Sequence, residues 1–411
     1  RAPGVVAAGI ASPSLILVAW AVGGAVTLLA AMPLMEAGAS VPVAGGYYPI
    51  AKRAFGGLTG FLAGWLVWLQ TVAASAFISV VFGEYIHRLG FAGQLSNSVL
   101  AAGLLVVVGA GNLIGTKVSG GSQTVGSAVK LVAFLVLAAL LFASPRGAPV
   151  HGPTTAGLAL GGVGAFVMAV RVIYQTYGGW DGAIYFSEEV HRPGRNVVRA
   201  TLGGIVAVTL IYVLVNAAVL HVLDVKAIAG SALAVGDAAR VSLGSIGDAA
   251  ITGMGLFSLA AVVNIQVMEA PRITFAMARD GVLPRPLAAV TRGGAPWIGV
   301  IMATGASILF AATGSYESLV RIYAPWAVAA LLIICLASIR LRVAEPDLPR
   351  PWMMPLFPWL AIAVALIQIA LISVMIWDDP AAGAWSAAAA AAPLPIYLFL
   401  IRRRRPATAP L

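Results

Sequence analysis

The sequence predicts an all-α integral membrane protein, and three observations predict it. Of its 411 residues 60% are hydrophobic and only 10% charged, with a mean hydropathy of +0.96, a balance that water-soluble domains of this size do not reach. The apolar residues gather in eleven long runs, and about 20 apolar residues as helix cross a hydrocarbon core of ~30 Å. The alternating dyads of a membrane barrel are absent from these runs, which leaves the helix as the way to pair every backbone polar group inside lipid.

The runs lie near 13–36, 58–86, 96–115, 122–144, 158–187, 198–222, 246–271, 297–313, 318–340, 356–377 and 383–401. Charge sets their expected orientation. One set of connecting segments carries 17 Lys and Arg: Lys52 and Arg53, Lys117, and the groups within 192–199, 272–292, 340–350 and 402–405. The opposite set carries four, Arg88, Arg146, Lys226 and Arg240. Basic loops stay cytoplasmic, so the first set and the C-terminus are expected in the cytoplasm of a multi-pass protein of the plasma or inner membrane. The net charge of +10 reads as topology signal and attraction to anionic lipid, with no nucleic-acid partner expected. Arg402 to Arg405 read as a stop-transfer anchor.

Other chemistries find little support. Cys335 is the only cysteine and lies within an apolar run, so neither a disulfide framework nor a thiol metal site is expected. His87, His151, His191 and His221 show no ligand spacing. HExxH, GxSxG and P-loop patterns are missing, and "GNLIGTK" at 111–117 has the wrong glycine spacing. The reading is therefore not an enzyme, with no metal and no cofactor.

What remains is charge inside the runs. Lys130, in "GSAVKLVAFLVLAALLF", has apolar neighbours on both sides; it either snorkels to the surface or serves a function. Glu36, in "PLMEAGASVPVAGGYY", is expected to hydrogen-bond the glycine-rich loop that follows, ahead of any contact with substrate. Arg171 and Asp181 fall in "YQTYGGWDGAIYFSEEV", residues 174–190. A double glycine deep in a span is either a small-residue packing contact or a break. A break frees carbonyls at the end of one half-helix and amides at the start of the next, the arrangement by which discontinuous helices hold ions and zwitterions in secondary transporters.

The longer stretch "TYGGWDGAIYFSEEVHRPGRNVVRA" resembles the sixth-helix signature of the amino acid–polyamine–organocation superfamily, in a form similar to its L-type amino-acid transporters. "MEAGASVPVAGGYYPIAKRAFGGLTGFLAGW" (35–65), "RITFAMARDGVLPRPLAAV" (272–290) and "RLRVAEPDLPRPWMMPLFP" (340–358) agree with it in order. The resemblance implies five-plus-five inverted repeats followed by two more helices. In this chain the first repeat would occupy 1–144, the second 158–342, the added helices 356–401 and a cytoplasmic tail 402–411, all one transporter domain. Because the family's first helix unwinds at a glycine-rich stretch ahead of a segment like "RAPGVV", the sequence is expected to begin after that break, without the first half-helix.

The resemblance also implies a site. On the broken helix the matching substrate contacts are Gln175, Thr176 and Gly178, with Tyr177 and Gly179 in the same segment; their carbonyls would accept the substrate's ammonium. Gln175 departs from the aromatic gate usual there. Tyr177 and Trp180 are expected to brace the break, Asp181 and Glu36 to support the break or gate, and Glu188 and Glu189 to pair with nearby arginines. Lys130 matches a lysine that, in sodium-independent members, stands where sodium-coupled relatives hold their ion; burial would let it release a proton nearer neutral pH. Ser258 and Asn264 match a small polar face toward the cavity. The implied function is sodium-independent amino-acid transport by alternating access, as a proton-coupled symporter or an exchanger. Neutral substrates are expected first, and a cationic amino acid or polyamine second. An amino-acid sensor that does not transport, or a truncated transporter fragment, is the reading from another class. The loop "RLGFAGQLSN" lacks the cysteine by which L-type relatives bond a heavy chain, so no disulfide-linked partner is expected.

Overall fold

The apolar runs become helices in the computed structural model, which describes residues 2–91, 93–114, 116–145, 162–231, 233–314 and 316–402. In chain order these are α1 (Ala2–Gly9), α2 (Pro13–Ser40), α3 (Tyr47–Phe55), α4 (Gly57–Arg88), α5 (Asn97–Ile114), α6 (Thr116–Ala143) and α7 (Val163–Thr176). A 3₁₀ segment, Gly182–Glu189, precedes α8 (Pro193–Val222), α9 (Val225–Ala229) and α10 (Ala234–Arg279). A short turn at Arg285–Ala288 leads to α11 (Trp297–Thr313), α12 (Tyr316–Ala344), α13 (Trp359–Asp378), α14 (Pro380–Ala391) and α15 (Leu394–Arg402). Among the described residues nine helices are long and apolar enough to cross a membrane, and two shorter apolar ones, Gly164–Tyr174 and Trp297–Thr313, complete the correspondence with the eleven runs. The stop-transfer arginines 403–405 lie outside the described residues.

Local chemistry sets several of the boundaries. Pro193 and Pro380 start α8 and α14, where a missing N–H costs nothing. Asp224 and Asp379 cap α9 and α14 by accepting from the amides of Ala227 and Ala382. The 46 residues of α10 would make a rod of about 69 Å, more than twice a hydrocarbon core. Gly244, at φ +70°, divides that run. On α13 Trp359 and Trp377 are 73% and 86% exposed and about 27 Å apart along the axis, which is where interfacial aromatics belong at the two edges of a bilayer.

The helices form two compact units, each drawing on both expected repeats. Arg1–Ala31, Val125–Trp180 and Ala200–Ser258 make the first. Its core joins Val6 and Ile10 of α1, Trp20 of α2, Leu141 of α6, Ile173 of α7 and Val219 of α8; α1 packs on α7 and α9. The second comprises Met32–Thr124, Asp181–Arg199 and Leu259–Leu411. There α12 lies along α3, α4 and α13, and α11 packs on α4 and α5, with Ala76, Leu105, Val263, Val267 and Val300 in a shared core. One of the chain's five crossings between units, Trp180–Asp181, falls within the glycine break.

Candidate functional site

In the first unit α7 stops at Thr176 and residues 177–180 are turn. The stop is local: Gly179 adopts φ +89°, a left-handed conformation that favours glycine, and Thr176 turns its own hydroxyl back on Ile173 O at 2.6 Å. Gly178 and Gly179 are exposed. Around them stands an aromatic brace. The buried Tyr177 donates to Trp20 O at 3.1 Å, and Tyr212 donates to Thr176 O at 3.4 Å. The Tyr212 ring meets those of Tyr177 and Trp20 edge-on at 5.1 and 5.3 Å between centroids. A helix end leaves its last carbonyls without intrahelical partners, and here one of them, Thr176 O, is held by a phenol. Trp180 is half-buried, and the side chain of Gln175 lies outside the described residues.

Lys130 is half-buried on α6, and its ammonium has no hydrogen-bond or ion-pair partner among the described residues. Ser258 is half-buried at the last position of this unit. Asn264, expected beside it on a polar face, belongs to the second unit, where it accepts from Asn112 Nδ2 at 2.9 Å. An amide between apolar helices satisfies itself with the nearest amide, so this one is committed to α5.

The second unit opens on Asp181, whose carboxylate accepts from the hydroxyls of Tyr185, at 3.2 Å, and Tyr47. The two tyrosine rings stack, 6.3 Å between centroids and 5° between planes. Next to Asp181, Gly182 lies against Glu269 of α10: a Cβ there would stand 2.5 Å from Glu269 Oε1. Past this contact come ion pairs. Arg272 grips Glu189 at 2.7 and 3.2 Å and lies over the Phe186 ring. Arg279 forks onto Glu188 at 2.9 and 3.0 Å, and Ala44 N–H donates to the same carboxylate. The Arg279 hydrogen bonds outweigh partial burial and hold the Glu188 carboxyl below its usual range. Both acids pair with arginines of α10, not with the arginines that follow them in sequence.

Glu36 corrects an expectation. Its partner is not the glycine-rich loop after it. Arg342 binds it bidentately at 2.8 and 2.8 Å, Met354 N–H donates at 2.7 Å, and Arg350 Nε lies 3.8 Å away. Glu36 is 2% exposed, and a carboxylate so deep requires a full counter-charge, which the uncharged loop 41–46 does not hold. Glu269 is an acid that the sequence analysis leaves unmarked. It lies within the run near 246–271, and a charge inside a span was the signal that marked Lys130.

Comparison with known proteins follows the same lines. The family model for amino acid permeases matches residues 2–401. The serine/threonine exchanger SteT of Bacillus subtilis is 28% identical over 93% of this chain and 87% of its own. The b(0,+)-type amino acid transporter 1 of Mus musculus is 27% identical over 89% of this chain and 76% of its own. The large neutral amino acids transporter small subunit 2 of Rattus norvegicus is 26% identical over 90% and 70%.

Proposed function

This chain belongs to the amino acid permease family, a family of multi-pass membrane transporters and not of enzymes, and we propose that it moves neutral amino acids by alternating access without sodium. The observation that carries this reading is the end of α7 at Thr176, followed by exposed Gly178 and Gly179. The carbonyls of Gln175, Thr176 and Gly178 accept the substrate ammonium, with Tyr177 and Gly179 shaping the turn, while Trp180 and Asp181 support it. Ser258 completes the polar lining of this unit. Asn264, held by Asn112, acts as a helix tie. Lys130 provides the fixed positive charge where a sodium-coupled transporter would hold its ion. Serine and threonine are the first substrates to test, after the relative named for them.

Substrate protection tests the site. In a Cys335→Ser background, which removes the only cysteine, a Gly178→Cys variant should react with a small thiol reagent. Serine at ten times its Kd should slow that reaction about tenfold. Equal rates with and without any amino acid would remove Gly178 from the site. Lysine and putrescine belong in the same panel, because Asp181 and Glu269 are the observation on the side of a cationic substrate. Protection by these alone would transfer the reading to a cationic amino-acid or polyamine antiporter.

The proposed orientation puts the C-terminus, the loop before α11 and the loop before α13 in the cytoplasm of a cell with this protein in its plasma or inner membrane. A cysteine at the exposed Arg292 should escape an impermeant maleimide in intact cells and react after lysis; labelling of intact cells would reverse the orientation. No disulfide-linked partner is proposed, since Cys335 is fully buried.

A further inference from the structure

One pair of acids in the second unit differs from four others that carry ion pairs. Glu36, Glu188, Glu189 and Asp280 each meet an arginine or lysine. Glu269 does not: it is 8% exposed, and no donor or cation among the described residues bonds to its carboxyl. Arg272, one turn further along α10, acts on it only electrostatically, having spent its nitrogens on Glu189 and Met268 O. The other charge acting on Glu269 is Asp181, of the same sign. Between them lies Gly182, packed so close to Glu269 Oε1 that a methyl group would not fit, with Ile265 on the same contact. Tyr47 from α3 and Tyr185 from the 3₁₀ segment satisfy Asp181 and leave Glu269 without a donor.

Two carboxylates set about the buried Gly182, one of them itself buried, repel each other, and binding one proton relieves the repulsion. We propose that Asp181 and Glu269 together form a proton-binding site, and that loss of the proton accompanies separation of the 3₁₀ segment from α10. With the proton on, one neutral acid and one carboxylate sit stably across the Gly182 contact. When the segments part, water reaches the pair, the O–H bond breaks heterolytically, and the proton passes to solvent on the side of the loop before α11. A ligand that binds one of two conformations better biases the equilibrium between them. Taken up from the opposite side of the membrane and released here, the proton becomes a driving ion for the transport proposed above. This inference rests on that reading for its transport consequence, and proton binding itself is measured independently. Lys130 retains a separate role as a fixed charge in the other unit.

The experiment uses the purified full chain in two formats. In proteoliposomes, serine exchange by the wild type should change about tenfold between about pH 6 and about pH 8, since one proton per cycle gives up to a tenfold change per pH unit. Glu269→Gln, an isosteric neutral amide, should exchange serine with less than about a twofold change over that range, and a pH gradient should no longer drive its accumulation. In lipid films, the wild type near neutral pH should show the infrared carbonyl band of a protonated carboxyl that Glu269→Gln lacks. A wild-type pH profile retained in Glu269→Gln overturns the proposal, as does absence of the band. If Glu269→Gln loses protection by lysine but keeps its pH dependence, the pair is a site for a cationic substrate and the proposal falls. A band without amino-acid exchange at any pH would refute the transport reading while leaving the proton site standing.

Discussion

Arg342→Ala is expected to destabilise the protein by about 3–5 kcal/mol, the usual consequence of removing one partner of a buried ion pair. Arg342 supplies two of the three short hydrogen bonds to Glu36, and the carboxylate left behind has 3% of its side-chain surface exposed. Only Met354 N–H and Arg350, at 3.8 Å, would remain. The pair ties α2 to α12 and to the segment before α13, so its loss should lower Tm in detergent sharply and reduce the folded yield in membranes. Arg53→Ala is the contrast. Its partner Glu345 is at the surface, and exposed pairs contribute little. Replacing both members of the buried pair with neutral residues of similar size should recover much of the loss, since the penalty lies in the uncompensated charge. An unchanged Tm in Arg342→Ala would show that Glu36 needs no counter-charge.

Lys130→Ala should act in the opposite way, with a large effect on transport and little on the fold. No described group depends on its ammonium, so truncation breaks no ion pair there and thermal unfolding should barely move. Transport should suffer because a fixed cation contributes only by favouring one conformation over another. A coupling of ordinary size makes the loss about 5–150-fold in flux, and uphill accumulation of serine should vanish. The two variants around the proposed proton site differ from this one in kind: Lys130→Ala loses flux at every pH, whereas Glu269→Gln loses the dependence on pH. Wild-type accumulation in Lys130→Ala would remove the lysine from the mechanism.

How much of this was legible in the sequence depended on how local each feature is. The apolar runs and the break after Thr176 need only neighbouring residues, since hydropathy and a glycine pair act within one or two turns, and both could be read directly. Partners of charged and polar groups are not local. Glu36 and Arg342 are 306 residues apart, and Asn112 and Asn264 are 152 apart. A sequence shows that a buried carboxylate needs a cation without showing which of 25 Lys and Arg the fold delivers. Glu188 and Glu189 make the same point, because arginines stood close by at 192, 195 and 199 and the fold chose those of α10. Asp181 stood out beside two glycines, but Glu269 became its neighbour only through the packing of Gly182 on α10.

The most direct measurement of the central claim is counterflow of labelled serine into proteoliposomes of the purified chain. Trace label should accumulate inside vesicles loaded with unlabelled serine and not inside empty ones, at the same rate in sodium and in choline salts. Binding of serine without any such flux, or flux that requires sodium, would contradict the account.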